Sequence, residues 1–294
     1  MMFNLKNRTK KALTALFVFA SFQQANAIAL PYELFTESRP RSFPTQIPHQ
    51  VNPQVKEWIR YFSVTDRDRF DRFMGRGAMY KSLIQDILVE NGVPAELYYL
   101  AMIESGFSRR IRSHASAVGV WQFIAPTARR YGLRGDTEVD ERMDVIRSTR
   151  AAARYLKDLK NEFGSWHLAM AAYNCGENRV RRAIRRSGTR DFWALARQRR
   201  LPAETIHYIP KFQAAMMIAR NPERYGFERK TLYDFPLVRK KRVPSRVHIA
   251  EIARREGVST QAILGLNPHL LRSRTPASRK GYHIYLPKRS RGGI

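Results

Sequence analysis

The sequence predicts a mainly α-helical domain followed by a small α+β module. Three observations carry this. Apolar residues recur at helical spacing from Val55 to Arg220, in segments bounded by capping residues or Gly/Pro breaks. Nothing before Tyr225 alternates apolar and polar residues around a hairpin turn. The composition shifts near residue 226, after which the run Tyr282-His283-Ile284-Tyr285-Leu286, closed by Pro287, reads as a strand. With 294 residues, 44% of them hydrophobic, the chain has material for one or two cored domains.

The elements follow in order. Lys6, Arg8, Lys10 and Lys11 precede the short apolar stretch Ala12 to Phe22, and Ala25-Asn26-Ala27 fits a small-x-small cleavage site. Residues 1–27 therefore read as a secretory signal peptide, too short in its apolar part for a comfortable membrane span. This predicts export to the periplasm or cell envelope, with an uncleaved membrane anchor as the alternative. Residues 28–50, with Pro31, Pro40, Pro44 and Pro48, read as an extended leader. Helices are expected over 51–225. Asn52-Pro53 opens the first, with Val55, Trp58, Ile59 and Phe62 on one face. A second begins near Thr65, and a third carries Tyr80, Leu83, Ile84, Ile87 and Leu88 and ends at Asn91-Gly92. Pro94 opens the helix that ends at Glu104. Asp140 and Ser165 cap two more, and a basic helix follows Asn174-Cys175-Gly176. The last spans Pro202 to Arg220, where Pro210 is expected to kink or break it. Residues 226–244 read as a basic linker, and 245–290 as the α+β module, with helices at Val247–Ala253 and Thr260–Leu266.

The formal charge is +28, and without residues 1–27 it is about +24. Such a charge favours polyanions. Export turns the expectation away from specific nucleic-acid binding and towards anionic membrane surfaces or the carboxylates of peptidoglycan. The lone Cys175 excludes an intrachain disulfide and reads as a packed, inert residue. His207, His248 and His283 show no metal-ligand spacing, and no cofactor is expected.

Glu104 is the residue with the most chemical content. Leu97, Leu100, Ala101 and Glu104 fall at i, i+3, i+4 and i+7, one stripe of a helix. A carboxyl beside apolar side chains has a raised pKa, and a carboxyl protonated near neutrality can serve as a general acid. The other reading is a solvent-facing residue at a frayed helix end. No further Asp or Glu follows until Asp136.

Around Glu104, five motifs stand in order: Glu104-Ser105-Gly106-Phe107, Gly119-Val120-Trp121-Gln122-Phe123, Pro126-Thr127-Ala128, Ala172-Tyr173-Asn174-Cys175-Gly176 and Glu204-Thr205-Ile206-His207-Tyr208-Ile209-Pro210-Lys211. Together they resemble the lytic transglycosylase domain, of lysozyme-like helical fold, over roughly 50–225 with a catalytic core at about 80–225. The likeness is to the membrane-bound lytic murein transglycosylase D group. It implies cleavage of the bond between N-acetylmuramic acid and N-acetylglucosamine without water, leaving a 1,6-anhydro sugar, with peptidoglycan glycan strands as the partner. Glu104 would act first as acid and then as base, with the substrate's N-acetyl group carrying the intervening positive charge. A hydrolase of the same fold and a non-catalytic peptidoglycan-binding protein are the alternatives.

By the same resemblance, Gln122 hydrogen-bonds sugar beside the acid, Tyr173 and Asn174 line the cleft, Tyr208 lies near the acid, Glu204 contacts substrate at the far wall, and Ser113 lies close to Glu104. Other readings stand beside these: a loop-stabilising amide for Gln122, a core aromatic for Tyr173, a dipole-favoured first-turn acid for Glu204. Many relatives carry Ser before the Gly-x-x-Gln motif; Val118 stands here. The C-terminal residues Ile249-Ala250-Glu251-Ile252-Ala253, Leu266-Asn267-Pro268, Thr275-Pro276 and Tyr285-Leu286-Pro287 resemble a divergent LysM module, a βααβ peptidoglycan-binding fold without its Gly-Asp-Thr-Leu turn. Such a module either binds glycan or keeps the fold as a structural appendage.

Overall fold

The computed structural model describes residues 36–37, 43–44, 46–235 and 238–288. The expected signal peptide and most of the 28–50 leader lie outside these residues. The order of the elements is β1 (Thr36–Glu37), α1 (Pro53–Arg60), a π-turn (Tyr61–Thr65), α2 (Arg67–Ala78), α3 (Lys81–Glu90) and α4 (Tyr98–Ser105). Then come α5 (Ala125–Arg130), α6 (Val145–Phe163), α7 (Trp166–Cys175), α8 (Glu177–Ser187), α9 (Phe192–Arg197) and α10 (Ala203–Arg220). The C-terminal part holds β2 (Tyr233–Asp234), β3 (Val238–Val243), α11 (Ile249–Glu256), α12 (Thr260–Leu266) and β4 (Tyr282–Pro287). Among the described residues, no helix is long and apolar enough to cross a membrane.

The caps form where the side chains demand them. Asn52 accepts from the Val55 amide at 2.9 Å, and Ser165 accepts from Leu168 at 3.2 Å. The cap expected of Asp140 is corrected: Asp140 caps only a short 3₁₀ turn, Glu141–Met143, and α6 is capped four residues later by Asp144, through the Arg147 amide at 2.9 Å. The π-turn joins α1 to α2, so the second helix starts at Arg67. α4 lies at the centre of the core: its Leu100 and Ala101, and Leu97 just before it, are fully buried. Trp121, also fully buried, donates to the Thr149 hydroxyl at 2.9 Å. α10 packs against α1, α7 and α4. It runs through Pro210 as one helix, so of the expected kink or break the break does not occur. Pro210 and its neighbours Tyr208, Ile209 and Phe212 are buried, and that burial outweighs the roughly 3 kcal/mol cost of a proline inside a helix.

β3 corrects the linker assignment. Its six residues, Val-Arg-Lys-Lys-Arg-Val, lie in the stretch read as linker and pair antiparallel with β4, from Val238 opposite Pro287 to Val243 opposite Tyr282. With α11 and α12 between them, the module is the expected βααβ unit, beginning seven residues before position 245. Period-two alternation places Arg239 and Lys241 on one face, where both bind Glu256 at the end of α11.

The module is tied to the helical domain by polar and apolar contacts. Val139 packs among Ile249, Ile263, Leu270 and Ile284, and Ile87 and Ile146 meet Leu266 and Tyr285. Asp140 N–H donates to the His269 carbonyl at 2.9 Å, and Leu271 N–H to the Glu138 carbonyl at 2.9 Å. The Arg147 guanidinium, held by Glu141 and Asp144, donates to the Tyr282 hydroxyl at 2.6 Å and the His283 carbonyl at 2.9 Å. Replacing Arg147 with Met removes the paired cation from two buried carboxylates, Glu141 and Asp144. The expected loss is about 3–5 kcal/mol, to be read as a lower denaturation midpoint of the whole chain.

Candidate active site

α4 ends one residue after Glu104, where Gly106 takes the left-handed conformation (φ 55°). A Cβ on Gly106 would meet the Phe73 ring at 2.2 Å. The chain turns sharply there and leaves Glu104 at the mouth of two spaces. Behind it is a narrow recess lined by Phe62, Phe70, Phe73, Met102 and Lys211. In front is an open cleft of about 510 Å³, bordered by Ser113, Gln122, Tyr173, Asn174 and Glu204. Six of the seven residues singled out from sequence thus line one cleft. The seventh, Tyr208, is buried on α10 and donates its hydroxyl to Glu104 Oε1.

Burial pushes the Glu104 carboxyl up to about 7; the Tyr208 hydrogen bond and the Lys211 ammonium pull it back, and Glu204 adds to the rise. The carbonyl end of α4 is a region of partial negative charge and acts in the same direction as burial. The Lys211 amine is itself lowered, chiefly by burial, with Glu104 opposing, and it donates to the Ile103 carbonyl at 3.3 Å. Glu204, Tyr208 and Lys211 stand at i, i+4 and i+7 on α10, a stripe through which the sequence signals Lys211 as part of the site. The motif that contains Lys211 assigns it no role by itself.

The other side chains have fixed partners. Tyr173 donates to the Trp121 carbonyl at 2.6 Å, and its ring packs beside Phe123 and Tyr155. Thr205 donates to Asn174 Oδ1 at 2.7 Å, and Asn174 Nδ2 reaches Glu204 Oε1 at 3.4 Å. Ser113 Oγ accepts from the Ala117 amide at 3.1 Å. Gln122 has φ 47°, a strained value for a residue with a side chain. Its Nε2 donates to the Gly119 carbonyl at 2.8 Å, so its amide braces the loop while bordering the cleft. Its Oε1 is buried without a hydrogen-bond partner among the described residues. Val118 is fully buried and pairs through its backbone with Phe123, 3.1 and 3.2 Å in the two directions.

Arg142 holds this loop from beneath and was not foreseen. Its Nη1 donates to the carbonyls of Ser116 at 3.0 Å and Phe123 at 3.1 Å, while its other nitrogens grip Asp140 at 2.8 and 2.7 Å. Gly119 has to be glycine: its φ is 83°, and a Cβ would lie 2.0 Å from the Arg142 carbonyl oxygen. Cys175 borders the cleft, and burial raises its thiol pKa, which suits a packed residue rather than a nucleophile. Among the described residues, no group of three or more His, Cys, Asp and Glu is placed to hold a metal.

The helical domain defines the class: residues 83–196 match the transglycosylase SLT domain. Residues 238–293 match the LysM-like domain of lytic transglycosylase MltD, so the two parts of the chain are similar, in this order, to an SLT domain and an MltD-type LysM-like domain. It is 35% identical over 219 residues to the membrane-bound lytic murein transglycosylase D of Escherichia coli (strain K12), covering 73% of this chain and 47% of that protein. The chain therefore spans about half the length of that relative. A stretch of 104 residues, 34% of this chain, is 36% identical to 8% of the peptidoglycan transglycosylase gp16 of Escherichia phage T7. Among solved structures, the 70 kDa soluble lytic transglycosylase SLT70 of Escherichia coli superposes with a TM-score of 0.42 at 22% identity, covering 51% of this chain and 25% of that one.

Since the Tyr208 hydroxyl favours the ionised carboxyl, Tyr208→Phe should raise the Glu104 pKa above its present value near 7. Titration of carboxyl-labelled glutamate by NMR checks this; an unmoved or lowered midpoint would show that the hydrogen bond does not control the acid.

Proposed function

We propose that this chain is a peptidoglycan lytic transglycosylase. It cleaves the β-1,4 bond between N-acetylmuramic acid and N-acetylglucosamine without water and leaves 1,6-anhydro-N-acetylmuramic acid ends. The observation that carries the reading is Glu104: a carboxyl raised to about 7, open to a cleft on one side and hydrogen-bonded to Tyr208 on the other. Tyr208 occupies Oε1, which leaves Oε2 to carry the proton.

In the first step Glu104 gives that proton to the glycosidic oxygen as its bond to C1 breaks. The substrate's own N-acetyl carbonyl bonds C1 and takes up the positive charge. In the second step the Glu104 carboxylate removes the proton from the C6 hydroxyl as O6 attacks C1 and displaces the carbonyl oxygen. The acid is regenerated and no water is consumed. The carboxylate that exists between the steps is stabilised by the Tyr208 hydroxyl and the Lys211 ammonium. A single-acid scheme fits the other two carboxylates that border the cleft, since Glu177 is paired with Arg130 at 3.2 Å and Glu204 is held by Asn174. Ser113, Gln122, Tyr173, Asn174 and Glu204 are the substrate-contacting residues in this reading. The LysM-like module assists on the same polymer. The N-terminal signal exports the chain to the envelope, where its relative is named membrane-bound.

Purified peptidoglycan digested with the chain should release products with 1,6-anhydro ends, identified by mass spectrometry. Glu104→Gln should lower turnover by at least about a thousandfold while leaving the melting transition in place. Products one water heavier would make the enzyme a muramidase, and no products would favour a binding protein. Because the acid must be protonated to begin the cycle, activity should fall as pH rises through about 7.

A further inference from the structure

We propose that the arginine face of α8 binds the acidic substituents of the glycan strand lying in the cleft. This rests on the reading that the cleft takes peptidoglycan. α8 buries Val180 and Ala183 and turns Arg179, Arg181, Arg182, Arg185 and Arg186 to solvent. Arg181 is held by Glu162, with Nη2 and Oε2 3.0 Å apart, and Arg179 reaches the Cys175 carbonyl at 3.4 Å. Among the described residues, no ion pair or hydrogen bond engages the side chains of Arg182, Arg185 or Arg186.

This face works against its own helix. Arg181 and Arg185, and Arg182 and Arg186, are like charges at i, i+4; Arg179 and Arg182, and Arg182 and Arg185, are like charges at i, i+3. Arg179, Arg181 and Arg182 also lie in the first half of the helix, nearer its positive end. Folding of α8 requires only the buried stripe, and any mixture of Gln, Glu and Lys would serve on the outside. The arrangement makes sense when an external anion completes it.

The location says which anion. Gly176 and Glu177 border the cleft, and the helix runs outward from them. The acidic charge at that rim is answered by Arg130. From there Arg179, Arg182 and Arg186 follow at i, i+3 and i+7, a ridge about 10 Å long. Guanidinium groups match carboxylates with paired N–H donors, which an ammonium does not. A strand leaving the cleft over this ridge would present its stem-peptide carboxylates to it. An anionic bilayer suits the face less well. The apolar side of α8 is in the core, and a helix lying in a membrane surface needs that side for the lipid.

The test compares the chain with a triple variant, Arg182→Gln with Arg185→Gln and Arg186→Gln. Substrates are peptidoglycan strands carrying their acidic peptides and the same strands stripped of peptide by an amidase, which leaves one lactyl carboxylate on each muramic acid in place of the several carboxylates of the peptide. The parent should have the lower KM on peptide-bearing strands. The triple variant should raise that KM about fivefold, bring the ratio of the two KM values towards one, and flatten the dependence on salt. The variant should melt at or above the parent's temperature, because repulsive pairs have been removed. An unchanged KM ratio overturns the proposal, as does a lower melting temperature with equal losses on both substrates. Loss of binding to phosphatidylglycerol vesicles with the KM ratio intact also overturns it and assigns the face to membranes. Co-sedimentation with the two strand preparations reads the face without turnover. Preferential retention of peptide-bearing strands by the parent, lost in the variant, supports the proposal even if the parent releases no product, an outcome that would count against the proposed reaction alone.

Discussion

An ionisable carboxyl at the carbonyl end of a buried helix is costly to hold, and the site is organised around holding it. α4 is enclosed, with Leu100 and Ala101 fully buried just before Glu104. Burial and the helix end both disfavour the carboxylate. Without an answering group the residue would be locked as a neutral acid, able to give a proton and poor at taking one back. Tyr208 and Lys211 supply that answer, and both come from α10. Their delivery requires α10 to pass unbroken beside α4, so Pro210, one residue before Lys211, must be absorbed into a helix sustained by its buried neighbours. The acid, the helix that serves it and the tolerated proline are one constraint seen at three places.

A second dependence runs from the C-terminal module to the cleft. The loop that carries Gln122 satisfies itself with strained or glycine-only conformations, and Arg142 secures two of its carbonyls. Arg142 is oriented by Asp140, whose backbone N–H is fixed by the His269 carbonyl of the module. Arg109, just past the Glu104 turn, donates to the Gly265 carbonyl of the module at 2.6 Å. A βααβ unit docked in this way does more than trail behind the helical domain. It fixes the underside of the loop beside the acid, whatever its own affinity for glycan.

The parts of this architecture that repeat with a short period were readable from sequence, and the parts that depend on distant carbonyls were not. The stripe Leu97, Leu100, Ala101, Glu104 announced a carboxyl against an apolar wall, and the caps Asn52 and Ser165 announced helix starts, whereas Asp140 caps only a 3₁₀ turn and Asp144 starts the long helix after it. β3 was hidden because its outward and inward positions are both filled by long cations, so alternation carries no hydropathy signal; Arg239 and Lys241 are distinguished only by Glu256, which lies far along the chain. Pro210 misled because local propensity opposes the helix while tertiary burial sustains it. Arg142 carried no signal at all: one arginine among many in the sequence looks the same whether it faces water or grips Ser116 and Phe123. Lys211 lay between these cases, visible on the α10 stripe only once Glu204 and Tyr208 were placed together.

The large positive charge of the chain and the raised acid at its centre look contradictory, since a field of cations stabilises carboxylates and should lower the pKa of Glu104. Distance resolves this. At physiological ionic strength the field of an exposed charge decays over about 8 Å, and most of the arginines are on the solvent face. The penalty for burying the carboxylate acts at the residue itself and is screened by nothing. Only a cation buried beside Glu104 works on comparable terms, and that place is taken by Lys211, whose own amine is lowered by the same burial. The acid is therefore tuned by one desolvated lysine and one tyrosine, while the surface arginines remain available to act on charged groups outside the cleft.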